Sequence, residues 1–433
     1  MFCNGYVLFD TTGNIIENGD SLVPFKIYTQ NAFPASTLTQ GSIILPKGSN
    51  GLYYVFTPTM TDSAYETYVV GQQPKVPFDL FQYHIVDMNA NGGLGKVVQK
   101  NIPLLTNVEM SKTGMMACKH ANGYDWWLLK QALDSNVIYT FLATKDNVVL
   151  DTIQRFPLPR FGYYDLAGQS CFGNKGDKYA FACGGVNSNG AKLFIADFDR
   201  CYGILSNVKE IIQPLHNTNS YLDTLYPGEK DTLIRGLCFS PNDSFLYVSC
   251  GYNIYQYDYN VMDSSLAWYH IKNGMDTTFQ QFAEYGQMQL APDGRIYIGK
   301  RDGGGFSNSV IDKPNVKGIG CEFCRKCIRC DTCDYTQSFA NMPNFNLGAL
   351  GSVCPPLGVH EVVKEKMDIV VYPNPSSDKT QIKNAKYQSK KELYSSVGQL
   401  LFTTKENEID VSGYAKGMYY LRCDGMNKKV IIQ

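Results

Sequence analysis

Charge is scarce in this chain. Asp, Glu, Lys and Arg make up only 18% of its 433 residues, and the net charge at pH 7 is -1. No long basic run is present, so the clustered cations that phosphate backbones require are missing and nucleic acid is not expected as a partner. Long apolar runs are missing too. No stretch approaches the roughly 20 residues that a membrane-crossing helix needs. The local signatures of common catalysts are likewise absent: there is no G-x-S-x-G elbow, no H-E-x-x-H helix and no phosphate-binding loop. The five histidines, His84, His120, His216, His270 and His360, stand singly. The opening residues Met1-Phe2-Cys3-Asn4-Gly5-Tyr6 carry neither the basic nor the apolar region of a signal peptide. The phrase from Gly13 to Asp20 reads as the interior of a domain. The expectation is that the natural start lies upstream, and a cytoplasmic protein beginning at Met1 is the competing reading.

Aromatic residues are abundant, with 30 Tyr and 23 Phe. They suit half-buried pleated surfaces, which points to a β-rich protein. A chain of this length implies two or three domains unless a repeat carries part of it. A repeat is visible. Gly168 to Ala180, Gly236 to Val248 and Gly286 to Ile298 each run apolar strand, turn, apolar strand, and Val108 to Cys118 is a degenerate fourth copy. In each phrase a buried strand meets turn chemistry of the Pro-Asp or Asn-Gly kind and returns antiparallel beside itself. One such unit cannot bury its own faces, so several must stack. The spacing of roughly 50 to 70 residues suits four strands per blade, and an all-β fold is expected: a β-propeller of about six or seven blades, the first incomplete. A large β-sandwich or a β-helix is the alternative.

Three segments concentrate chemistry. His120-Ala121-Asn122-Gly123-Tyr124-Asp125-Trp126-Trp127 holds two of the three tryptophans. An indole face could stack on a sugar ring while His120, Asn122 and Asp125 fix hydroxyls. The structural reading is that alternation buries one indole, Asn-Gly makes the turn, and His and Asp pair across it. The second segment is Cys321-x-x-Cys324-x-x-Cys327-x-x-Cys330-x-x-Cys333, followed by Cys354. It partly echoes a ferredoxin run, but its third gap is two residues rather than three and no Pro follows Cys330 or Cys333. The paired knuckles of a zinc site are absent. Disulfides are the leading expectation, because 14 cysteines are an even number. The third segment, Asp87-Met88-Asn89-Ala90-Asn91-Gly92, begins like a calcium loop, but Val98 stands where the bidentate Glu belongs. A hairpin turn is the expectation there. No cofactor is expected, with iron, zinc or calcium kept as lesser alternatives.

From Met367 to Gln433 the chain reads as a small Ig-like β-sandwich. Pro373-Asn374-Pro375 ends a first strand. Leu393 to Phe402 forms a hairpin with Gly398 at its turn. Gly417-Met418-Tyr419-Tyr420-Leu421-Arg422-Cys423 is a further strand, and Lys428-Lys429-Val430-Ile431-Ile432-Gln433 closes the chain. This set resembles the type A C-terminal sorting domain of Bacteroidetes type IX secretion cargo, with Pro373, Asn374, Pro375, Gly398, Gly417, Tyr419, Leu421, Lys428 and Lys429 carrying the motif. The preceding residues resemble a propeller-like passenger family of secreted Bacteroidetes proteins. That likeness rests on Gln40 to Pro46, Leu52 to Phe56, Lys119 to Trp127, Phe198 to Asn207 and Met342 to Phe345.

The resemblance implies a passenger at residues 1–356 and a sorting domain at 367–433, joined by a linker at 357–366 that is read from Cys354-Pro355-Pro356 ending the blades and from Val359 to Lys366 carrying no strong period. It also implies the type IX translocon and sorting machinery as partners and a secreted or outer-surface location. In that family the tail is usually cleaved and the passenger attached to surface lipopolysaccharide. For the passenger itself, a binding or adhesion module taking a surface glycan or protein ligand is expected first. A carbohydrate-active enzyme comes second and a metal-binding or redox protein third. Propeller enzymes assemble their sites from separate blades, so missing local motifs weaken the enzyme reading without closing it.

Overall fold

The computed structural model describes residues 1–30, 40–73, 76–133, 135–156, 168–183, 192–211, 234–250, 253–261, 266–273, 285–300, 307–329, 339–351, 354, 370–383, 390–423 and 426–433. The chain divides into two compact units, Met1–Cys354 and Pro355–Gln433. The expected linker, residues 357–366, lies outside the described residues.

The first unit is a β-propeller, and its described strands form six consecutive modules. The first is a two-stranded sheet of β1 (Phe2–Cys3) and β2 (Leu8–Phe9) among the described residues. The second comprises β3 (Ile43–Pro46), β4 (Leu52–Thr59), β5 (Phe78–Asp87) and the start of β6 (Lys96–Lys119). The third comprises the end of β6 with β7 (Trp126–Ala132), β8 (Val137–Ala143) and β9 (Val148–Arg155). The fourth holds β10 (Ser170–Phe172), β11 (Lys178–Cys183), β12 (Lys192–Asp199) and β13 (Ile204–Ile211). The fifth holds β14 (Ile234–Phe239), β15 (Leu246–Cys250), β16 (Asn253–Tyr257) and β17 (Trp268–Asn273). The sixth holds β18 (Tyr285–Leu290), β19 (Ile296–Lys300), β20 (Ser307–Ile311) and β21 (Phe323–Arg329).

Strands within each module pair antiparallel in chain order. β6 shows how one blade feeds the next. Its first part pairs with β5, from Asp87↔Lys96 to Phe78↔Met110, and its last part pairs with β7, from Met110↔Ala132 to Lys119↔Trp126. Register shifts along β6 accompany left-handed Asn101 and Asn107, and such bulges bend a strand enough to leave one sheet for another.

The repeated phrase is the first strand, turn and second strand of a blade. Its turn closes with the same backbone bond, from an amide to the carbonyl five residues on, at Lys47 to Leu52, His120 to Asp125, Gly173 to Lys178 and Ser240 to Phe245, and with a bond one residue shorter at Ala291 to Arg295. Because the sheets stack face to face, their strands are covered on both sides, and every residue of β7, β14, β15 and β16 is buried, polar Lys130, Arg235 and Gln256 included. Between the fourth and fifth blades Cys171, Leu193 and Ile195 pack against Leu237, Phe239 and Val248. Between the fifth and sixth, Tyr247 and Ile254 pack against Met288 and Ile298. Each such side chain contributes about 1.5–3 kcal/mol by leaving water. The first module packs on the second through Leu8, Ile16 and Leu22 against Val55, Val86 and Val97.

The second unit has a three-stranded sheet of β22 (Val370–Tyr372), β23 (Lys379–Lys383) and β26 (Glu408–Asp410), and a four-stranded sheet of β24 (Lys391–Ser395), β25 (Leu400–Thr404), β27 (Gly417–Cys423) and β28 (Met426–Ile432). Ile382 and Ile409 of the first sheet meet Leu393, Leu421, Val430 and Ile432 of the second in one core. Gly398 stands at the turn of the β24–β25 hairpin with φ 84. β22 stops at Tyr372, where Pro373 removes a backbone donor. The Asn374 amide then donates to the Lys429 carbonyl at 2.8 Å and accepts from the Ile431 amide at 2.8 Å. The opening and closing motifs of the tail therefore meet in space. Tyr419 and Leu421 point into the core, while Lys429 is exposed.

Candidate functional site

The inner strands of four successive blades surround a cavity of about 350 Å³. β6 supplies Met116 and Cys118, the β10 segment Gln169 and Cys171, β14 Leu237 and Cys238, and β18 Met288 and Gln289. A strap, residues 339–351, forms another wall through Met342 to Leu347. The strap is firmly held. Asn341 Nδ2 donates to the Met115 carbonyl at 2.8 Å and Asn344 Nδ2 to the Asn174 carbonyl at 3.0 Å. The Leu350 amide donates to the Ala121 carbonyl at 2.8 Å, and Arg200 reaches the Gly348 carbonyl at 2.5 Å.

Buried amides sew the inner strands together. Gln169 Nε2 donates to the Met288 carbonyl at 2.7 Å, and its Oε1 accepts from the Leu237 and Met288 amides, both at 3.0 Å. Gln40 does the same for Ser170, donating to its carbonyl at 2.8 Å and accepting from its amide at 3.0 Å. Gly236 permits the close approach of β14 and β18, since a Cβ there would lie 2.4 Å from the Gly286 carbonyl oxygen.

Cys118, Cys171 and Cys238 occupy the same position, two residues before the turn, on three consecutive inner strands. All three are free and buried. Burial pushes the Cys118 and Cys238 thiols up to about 12 and the Cys171 thiol well above its ordinary value. They remain protonated at neutral pH and act as small apolar residues rather than nucleophiles. The cavity is thus lined by residues bearing thioethers, aromatic rings and amides.

The His120 to Trp127 cluster lies at the turn between β6 and β7. Trp126 and Trp127 are buried. The Trp126 ring meets the edge of Phe345 and lies under Lys119, and Trp127 Nε1 donates to the Arg200 carbonyl at 2.7 Å. His120 Nδ1 accepts from the Asn122 amide at 3.0 Å, so Nε2 carries the proton and donates to the Cys201 carbonyl at 3.1 Å. Asn122 Nδ2 donates to Asp125 at 2.7 Å, closing the turn. These groups clasp the Asp199–Gly203 turn of the neighbouring blade, and Tyr124 is the one strongly exposed ring among them.

The cysteine run is divided. Cys321 is a free, buried thiol, and Cys324 and Cys327 form a disulfide. Cys354 bonds Cys201, 153 residues away, rather than a member of the run. Cys330 and Cys333 lie outside the described residues. In the Asp87 loop, Asp87 accepts from the Asn89 amide and Asn89 donates to the Asn50 carbonyl, so both serve the hairpin. Among the described residues no three His, Cys, Asp or Glu side chains are grouped to hold a metal ion.

Residues 370–433 match the family described as the secretion system C-terminal sorting domain. The chain is type IX secretion cargo. Its sorting domain directs it to the cell surface or beyond, and the type IX machinery is its transport partner. Among the described residues, no helix is long and apolar enough to cross a membrane. No curated protein sequence matches the chain. Among solved structures it is similar to the periplasmic gluconolactonase PpgL of Pseudomonas aeruginosa, with 10% identity, a TM-score of 0.42 and coverage of 98% of this chain and 94% of that one. A protein from Lactobacillus plantarum shows 12% identity and a TM-score of 0.41, over 91% and 89% of the two chains. The Cps50 (Swd1) β-propeller domain of Myceliophteria thermophila shows 8% identity and a TM-score of 0.34, over 91% and 97%.

Proposed function

We propose that the exported passenger is a binding module, and that its ligand seat is the cavity where four inner strands and the strap converge. The observation that carries this reading is the lining. It combines apolar thioethers and rings with amides and backbone groups, the mix that orients an uncharged amphipathic ligand such as a sugar or a peptide segment. Among the described residues, the titratable side chains lining the cavity are three thiols held protonated by burial, which supports recognition ahead of covalent chemistry. The firmly bonded strap further favours a preformed seat, which lowers the ordering cost of binding.

The full chain would be tested on arrays of glycans and of peptides. A hit that is lost in Gln289→Trp, which fills the cavity, and retained in Gln289→Asn supports the reading. Binding that persists in Gln289→Trp places the ligand elsewhere. No hit on either array removes the reading.

A further inference from the structure

The Cys324–Cys327 disulfide differs from Cys201–Cys354 in every respect that bears on its role. It spans only three positions in sequence, so it restrains the unfolded chain far less than a bond across 153 positions does. Both its cysteines are exposed, on the outermost strand β21 of the sixth blade. A local irregularity makes the bond geometrically accessible: Lys326 adopts φ 55, the pairing of β20 with β21 shifts there, and the two Cα atoms approach to 5.8 Å. The Lys326 amide is tied to Ser309 Oγ at 3.1 Å, which fixes the bulge. The segment is cationic, with Arg325 and Lys326 between the cysteines and Arg329 two positions after Cys327, on the same side of the strand. Positive neighbours stabilise a thiolate leaving group.

We propose that Cys324–Cys327 is a thiol–disulfide exchange site that oxidises a dithiol, two thiols carried on one partner molecule. A thiolate of the partner attacks Cys324 Sγ, forming a mixed disulfide, and the Cys324–Cys327 bond breaks with Cys327 leaving as a thiolate on the side of the strand that carries Arg329. The second partner thiol, once deprotonated, attacks the partner's own sulfur in the mixed disulfide and releases Cys324. The partner loses two electrons and two protons and gains a disulfide. Cys324 and Cys327 gain the two electrons and take up two protons as thiols. No further oxidant is consumed in this single turnover.

The test uses the oxidised full chain and a reduced model peptide bearing two cysteines, with alkylation of quenched samples and mapping by mass spectrometry. Peptide disulfide is expected to form while Cys324 and Cys327 become alkylatable and Cys201 and Cys354 stay bonded. Transfer by the Cys324→Ser/Cys327→Ser double variant is expected to fall at least about tenfold. The alkylation map of the unaltered chain decides the matter without any variant. If Cys324 and Cys327 stay closed while peptide is oxidised, or Cys201–Cys354 opens first, the proposal is overturned. A folded double variant that transfers as fast as the unaltered chain overturns it equally.

Discussion

His84 makes the propeller sensitive to acid. Its ring is fully buried between β4 and the bulged stretch of β6. Nδ1 accepts from the Asn101 amide at 3.0 Å, so Nε2 carries the single proton and donates to Thr57 Oγ1 at 2.9 Å. A second ring proton would displace the Asn101 bond. Burial, with a smaller contribution from the charge of Lys100, lowers the His84 pKa to about 3 from 6.5. The folded state therefore binds fewer protons than the unfolded one between these values. The stability held in neutral His84 is fully present above about pH 6.5 and is lost progressively as pH falls toward about 3. Linkage gives a loss of about 2 kcal/mol on going from pH 7 to pH 5.

All three tryptophans, Trp126, Trp127 and Trp268, lie in the first unit, so indole fluorescence reports the propeller alone. Urea unfolding followed in this way at pH 7 and pH 5 is compared with His84→Gln, whose side chain offers a donor and an acceptor but does not titrate. The unaltered chain should lose about 2 kcal/mol more than the variant over that interval. Other titrating groups are common to both and cancel. Equal losses in the two proteins would refute the reasoning.

Two other perturbations follow from the same geometry. Replacing both Cys201 and Cys354 by Ser removes a cross-link over 153 positions, and the chain-entropy relation sets the loss at about 5 kcal/mol. It should appear as a lower urea midpoint under oxidising conditions, and an unchanged midpoint would contradict it. Gly203→Ala puts a Cβ 2.6 Å from the Trp127 ring at a residue with φ +68. It should cost about 1–3 kcal/mol, seen as a lower thermal midpoint with reduced change in indole emission. A neutral result would mean that the clasp between the third and fourth blades yields more readily than its packing suggests.

Much of the architecture was legible because it repeats. The phrases at Gly168, Gly236 and Gly286 each contain one strand, one turn and one returning strand, and a backbone bond from the end of the first strand to the start of the second closes each turn. The tail was legible because Pro373, Gly398 and the Gly417 to Cys423 alternation act locally. β6 was harder to read. A strand of 24 residues with Pro103 inside it looks like two strands, and only the left-handed asparagines hint that it bends between sheets. The cavity was not legible at all, because its lining comes from residues between Met116 and Leu347 and no local motif links them. The signal that could have found it is the recurrence of Cys118, Cys171 and Cys238 at one position of the repeat. Cysteine pairing also escaped. Cys354 looked like a neighbour of the run at Cys321 because the two are close in sequence, whereas the strap carries it to Cys201.

A propeller passenger exported by its own C-terminal domain must lose export when that domain is removed. The most direct measurement expresses two chains in a host with a working type IX system, each preceded by the same inner-membrane signal peptide: the full chain, and one ending at Cys354. Surface protease accessibility and fractionation locate each product. The full chain is expected at the surface or in the medium and the shortened chain folded in the periplasm. A shortened chain that reaches the outside as efficiently as the full one would contradict this expectation.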